Sequence, residues 1–228
     1  MSGAKMAGGI VAVVALLALV LATSFRSEPA PVPTDLQPES QEGAVEPQFD
    51  IRMKGDLDAP ITIFELSDFQ CPWCQQFTLE TLPTLEAEYI VTGKARLIFI
   101  NLPIPSLHPN APAAHEFAMC AASQGRFWPV HDMLFAQQQD WQGLRDPGVW
   151  FLQRANSLGL ERGPLDACLE QGAMRALIMA DLNTAQRGGV NSTPTFVIEG
   201  GLLRGAASIE DLRPILDSIY TAKTQSGN

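Results

Sequence analysis

The stretch that most constrains the fold is Ile61 to Tyr89, ITIFELSDFQ-CPWC-QQFTLETLPTLEAEY. Ile61 to Leu66 is a short apolar run with β-branched residues, the pattern of a strand. Ser67 to Gln70 read as a turn. Cys71 and Cys74 then open a segment whose apolar residues, Phe77, Leu82, Leu85 and Tyr89, recur at helical spacing. The free N–H groups and the positive dipole end of a helix favour a thiolate at its first cysteine. The second cysteine falls one turn on, on the same face and within disulfide reach. The residues therefore point to a redox dithiol.

Two readings compete with it. A zinc site needs further closely paired ligands, but Cys120 and Cys168 stand 46 and 94 residues beyond Cys74 and no histidine is near, so no metal is expected. An inert Cys71–Cys74 bridge would close too short a loop to stabilise much.

The segments before this stretch supply an address. Met6 to Phe25 is 20 residues without a charge, preceded by Lys5 and followed by Arg26. As a helix it would be about 30 Å long, enough to cross a bilayer. Residues 1–26 are expected to be an uncleaved anchor that directs export of the remaining chain. The alternative is a cleaved signal peptide ending near Ala22-Thr23-Ser24. Residues 27–48 hold five prolines and five acidic residues and no lysine or arginine, which predicts an extended tether. Residues 49–228 are then one domain, with 20 acidic and 13 basic residues and no basic patch, so nucleic acid is not expected as a partner.

Within the domain, Ala95–Asn101 reads as a second strand and the helix from Cys71 to about Val91 as kinked at Pro83. Helices are expected at Ala111–Gln124, Phe127–Gln138, Pro147–Leu158 and Pro164–Arg187, followed by a hairpin of Thr195–Ile198 and Leu202–Arg204. Ser208, with Asp211 three residues on, reads as the cap of a last helix to about Tyr220. His108, His115 and His131 read as ordinary helix or turn residues. Phe127, Trp128 and Phe135 read as core. Cys120 and Cys168, an even pair in an exported domain, are expected to form a structural disulfide; two buried free thiols are the other reading.

Taken together, Phe69-Gln70-Cys71-Pro72-Trp73-Cys74 after an apolar strand, Pro83 in the next helix and Ser192-Thr193-Pro194-Thr195-Phe196 before a hairpin resemble the thioredoxin fold. The helical block between the strand groups resembles the insertion of the DsbA-type thiol oxidoreductases. Gln124-Gly-Arg-Phe-Trp128 and His131-Asp132-Met-Leu-Phe135 inside it are similar to the branch with membrane-tethered members. The resemblance implies an α/β thioredoxin-like fold, a mixed central sheet flanked by helices, with an all-helical insertion over about 104–189.

It also implies roles. Cys71 would be the exposed nucleophile and Cys74 the buried resolving thiol. Pro194 would be a cis-proline facing them, with Thr193 offering its backbone to substrate. Pro72 and Trp73 would tune the couple. Trp73 stands where the best-known members have histidine, which favours a weaker oxidant, and Thr193 stands where they have valine, as is usual in disulfide isomerases and in the tethered branch. Glu65 sits where the family often places a buried acid. On a central strand it would be desolvated and could relay the proton of Cys74; the other reading is an acid at the strand end reaching water.

The expected activity is a membrane-tethered, periplasmic or otherwise extracytoplasmic dithiol oxidase without a cofactor. Its partners would be unfolded or cysteine-containing exported proteins, the inner membrane and a quinone-linked redox partner, DsbB-like or VKOR-like. A reductase or isomerase with the same site, or a redox-silent peptide-binding or chaperone module, are the alternatives.

Overall fold

Five strands form one mixed sheet in a computed structural model that describes residues 51–225. The expected anchor over residues 6–25 and the tether over 27–48 lie outside the described residues. Among the described residues no helix is long and apolar enough to cross a membrane. The strands are β1 (Met53–Lys54), β2 (Ile61–Ser67), β3 (Ala95–Asn101), β4 (Thr195–Ile198) and β5 (Gly201–Arg204), in the order β1-β3-β2-β4-β5. β2 is central. It runs parallel to β3, with Glu65 opposite Phe99, and antiparallel to β4, with Glu65 opposite Phe196. A parallel neighbour requires a crossover, and the helical stretch over residues 72–90, here α1, makes it.

α1 consists of four consecutive segments, Pro72–Gln76, Phe77–Thr81, Leu82–Leu85 and Glu86–Ile90. The second and fourth are wide turns, with N–H groups reaching five residues back from Leu82 to Phe77 and from Val91 to Glu86. Pro83 lacks an N–H and its ring crowds the carbonyl four residues earlier. The wide turn before it accommodates the proline, a π-type device rather than a simple kink.

The other helices are α2 (Ala111–Ala122), α3 (Phe127–Ala136), α4 (Gln138–Trp141), α5 (Gly148–Arg154), α6 (Arg162–Gln171), α7 (Arg175–Arg187) and α8 (Ile209–Gln225). Three expected helices are interrupted. Pro147–Leu158 is α5 and, after Ala155, a separate 3-10 turn over Asn156–Leu158. Pro164–Arg187 is α6 and α7, because Gly172 takes φ 58° and Ala173 N–H caps the carbonyl of Cys168 at 3.1 Å. The expected Phe127–Gln138 helix stops at Ala136, and Gln138 starts α4. α8 begins with a reciprocal box: Ser208 Oγ donates to Asp211 Oδ2 at 2.8 Å and accepts Asp211 N–H at 3.2 Å.

α1 and α8 cover one face of the sheet. Ile61, Ile63, Phe77, Leu82, Leu85, Phe196, Leu212 and Leu216 pack there, with Phe77 and Phe196 rings 4.6 Å apart. At about 1.5–3 kcal/mol per fully buried large apolar side chain, this layer fixes β2 as the interior strand. The helices between β3 and β4 build their own cluster around Phe117, Phe127, Phe135, Trp141 and Phe151. Phe69, Cys71 and Cys74 belong to that second cluster, so the dithiol lies on the seam between sheet and helical block.

Candidate active site

Asp68 builds the turn that carries the dithiol. It is fully buried, and its Oδ1 accepts Gln70 N–H at 2.8 Å. Its Oδ2 takes Ile104 N–H at 2.8 Å and lies 2.9 Å from His108 Nδ1. Cys71 N–H donates to the Asp68 carbonyl at 3.0 Å. The chain thereby reaches Cys71 in an extended conformation (φ −73°, ψ 125°), which makes Cys71 the N-cap of α1 and puts Pro72 in its first turn, where its lacking N–H costs nothing.

Cys71 Sγ lies 3.5 Å from the Thr193 carbonyl oxygen, and the Thr193–Pro194 peptide bond is cis. The expected exposed nucleophile is in fact covered: Cys71 is 3% exposed and Cys74 is fully buried. Pro72 and Trp73 are the exposed members of the motif, Trp73 61% accessible. With Pro72, Gln75, Gln76, Leu79 and Glu80, Trp73 lines a shallow hollow of about 400 Å³.

The two thiols differ in acidity. A hydrogen bond from the Cys74 side chain is the largest influence on Cys71, and Thr193 and the N–H groups of Cys74 and Trp73 add to it. Against the opposing effect of burial they bring Cys71 down to about 6. Burial pushes the Cys74 thiol well up, and Cys71 and the charge of Glu65 add to the rise.

Glu65 shares the face of β2 that holds Ile61, Ile63 and Ser67. It is completely buried, and neither carboxylate oxygen has a hydrogen-bond partner among the described residues. Burial raises it to about 7, opposed by the Ser67 hydroxyl and by the charge of Lys54. The reading of an acid reaching water does not describe this residue. The arrangement can hold Cys71 as a thiolate at neutral pH and keep Cys74 protonated.

The helical block grips this loop through amides. Gln75 Nε2 donates to the Phe135 carbonyl at 2.7 Å, and Gln70 Nε2 to that of Gln142 at 3.0 Å. Buried Gln138 donates to the carbonyls of Phe69 and Cys71 at 2.9 and 3.1 Å. Gln138 escaped sequence reading because a glutamine in the run Gln137–Gln139 carries no chemical signature. Cys120 on α2 and Cys168 on α6 are disulfide-bonded, with Cα atoms 5.8 Å apart.

His108 thus belongs to the Asp68 network of the dithiol turn, and the other two histidines belong elsewhere. His115 contacts Asn101 Oδ1 at 2.7 Å, and Asn101 donates to Asp181, the ion-pair partner of Arg52. Burial lowers His115 to about 4. His131 contacts Asp132 at 2.8 Å within an aromatic cluster that includes Trp128 and Phe135.

The sequence model of the family described as Thioredoxin matches residues 50–218. The chain belongs to the thioredoxin family. Among solved structures, this family member is similar to Wolbachia pipientis alpha-DsbA1, with a TM-score of 0.69 at 20% identity over 78% of this chain and 94% of that one. It is also similar to oxidised BdbD from Bacillus subtilis, with a TM-score of 0.67 at 21% identity over 75% of this chain and 92% of that one. Disulfide bond formation protein D of Bacillus subtilis is 22% identical, over 74% of this chain and 77% of that protein. A protein named Na(+)/H(+) antiporter NhaA 3 from Salinispora tropica is 32% identical over 78% of this chain, which spans only 26% of the antiporter's length. The thioredoxin-like part of such relatives is thus about a quarter of a much longer chain.

Proposed function

We propose that the protein is a thiol:disulfide oxidoreductase that works as a dithiol oxidase on exported proteins. The observation that carries this is the acidity split within the dithiol: Cys71 down to about 6 beneath the Thr193–Pro194 loop, and Cys74 held up by burial. In the oxidised protein a substrate thiolate attacks Cys71 Sγ, and the pair of electrons of the Cys71–Cys74 bond leaves on Cys74. Glu65 supplies the proton that Cys74 takes up. A second substrate thiolate then attacks the substrate sulfur of the mixed disulfide. Cys71 departs as a stabilised thiolate, the substrate gains a disulfide, and the protein is left reduced.

Re-oxidation requires an electron acceptor, which we assign to a quinone-linked membrane protein of the DsbB or VKOR kind. Residues 6–25 would hold the domain at the membrane on its extracytoplasmic side. The names of the Bacillus relatives support the direction of the reaction. Trp73 favours a weaker oxidant and Thr193 is the residue usual in isomerases, which keeps reductase or isomerase action as the second reading.

The test is oxidative refolding of a reduced, disulfide-requiring substrate by the oxidised protein, with Cys71→Ser as control. Stoichiometric disulfide transfer that vanishes in the variant is expected. Equal rates with and without the protein would reject the proposal.

A further inference from the structure

Gln138 belongs to the helical block, yet both hydrogens of its side-chain nitrogen are spent on the dithiol turn. One carbonyl it binds precedes Cys71 by two residues and the other is that of Cys71 itself. The Cys71 carbonyl also accepts Gln75 N–H at 3.1 Å, the first bond of α1. We propose that Gln138 is a positioning residue for the reactive cysteine, fixing the N-cap turn so that Cys71 Sγ stays aligned with the N–H groups at the start of α1. The inference rests on Cys71–Cys74 being the redox couple.

The side chain is built for this. A primary amide is the uncharged group that offers two hydrogens from one nitrogen. Glutamate at this position would set an acceptor against two carbonyls, and lysine would bury a charge beside the sulfur. Gln138 is fully buried and cannot wander. Its backbone is also held. Gln137 (φ −110°, ψ 23°) breaks the helix between α3 and α4, and its side chain accepts Arg154 Nε at 2.9 Å. Fully buried Trp141, at the end of α4, donates its indole N–H to the Leu134 carbonyl of α3 at 2.8 Å. The break in the helix thus turns Gln138 toward the dithiol. With the carbonyls of residues 69 and 71 tied to one nitrogen, the peptide planes that carry them cannot rotate independently. Loosening them would let the sulfur drift from the donors that stabilise its charge.

The experiment compares reduced wild type with Gln138→Met, which keeps side-chain volume and removes both hydrogens. Cys71 alkylation is followed as a function of pH. The Cys71 midpoint is expected to rise by about half a unit to one unit, with the rate at pH 6 falling about two- to five-fold. Near pH 9, where both proteins are fully ionised at Cys71, the rates should converge. A variant whose pH profile coincides with wild type would overturn the inference, as would one slowed equally at every pH.

If Gln138→Met does not fold, the side-chain NH₂ resonances of Gln138 in the wild type decide instead. They should titrate with the Cys71 midpoint and exchange slowly with solvent; resonances indifferent to Cys71 ionisation would overturn the inference. Wild-type protein that shows no acidic thiol at Cys71 at all would instead sink the reading of the couple.

Discussion

At the residue scale the dithiol is an exercise in unequal solvation. Cys71 takes an N-cap position with donors around it, and Cys74 one turn deeper has none to spare. In the reduced protein a thiol whose folded-state acidity is strengthened adds stability at high pH and loses it as pH falls through about 6. Reduced protein should therefore gain stability over the oxidised form as pH rises from about 6 to 9. Parallel denaturation curves of the two forms at each pH check this; a constant difference would contradict it. Glu65 runs the other way. Its raised pKa means that the folded state holds the proton more tightly, so stability falls as pH rises from about 4.5 to about 7 and stays low above. Glu65→Gln should remove that decline and gain up to about 3 kcal/mol at pH 8. It should also slow the proton-coupled steps at Cys74 most clearly near neutrality. A rate–pH profile that overlays the wild type would remove Glu65 from the mechanism. Trp73→His would place a proton donor with partial positive charge beside the thiolate and should move the potential upward; glutathione equilibration reads the shift, and a fall would refute the charge argument.

At the scale of elements, the strands were legible because alternation and β-branched runs report directly on a buried sheet. Ala95–Asn101 is the clearest case, and the hairpin of β4 and β5 closes through Glu199 and Gly200, both at positive φ. β1 was missed because two residues cannot show a period. The expected helix over Pro164–Arg187 failed for a different reason. Leu165, Cys168, Leu169, Ala176, Leu177 and Ala180 read as one apolar stripe across Gly172, and only the left-handed φ there, visible in the folded chain, shows the stop. Part of the site was legible through the cysteines, Glu65 and Thr193-Pro194, all tied to recognisable chemistry. Gln138 and the Asp68 anchoring of the 102–110 segment were not, since their roles depend on partners distant in the chain. The Cys120–Cys168 bond joins two of these elements, α2 and α6, and closes a separation of 48 residues. Chain entropy puts its worth at up to about 4 kcal/mol. Replacing both cysteines with alanine should lower the melting temperature while leaving turnover at moderate temperature largely intact. An unchanged melting temperature would show that packing alone holds α6.

At the scale of the molecule, sheet and helical block are joined by polar contacts as well as by the aromatic seam. Buried Arg52, just before β1, pairs with Asp181 of α7, which also accepts from Asn101 at the end of β3. Removing Asp181 takes away the carboxylate that serves both Arg52 and Asn101. Asp181→Ala should cost about 3–5 kcal/mol, measured by chemical denaturation; a loss below about 1 kcal/mol would show that solvent reaches the pair. This clamp keeps the helical block in register with the turn it grips through Gln70, Gln75 and Gln138, so the reactive sulfur is set by contacts from both parts of the fold. The most direct test of the proposed chemistry is the reduction potential of the Cys71–Cys74 couple in a glutathione redox series. An acidic Cys71 without a charged neighbour at position 73 predicts a value between about −120 mV and about −270 mV, the range from strong oxidant to thioredoxin. A potential at or below about −270 mV would contradict it, because the couple would then be no more oxidising than thioredoxin, a reductant.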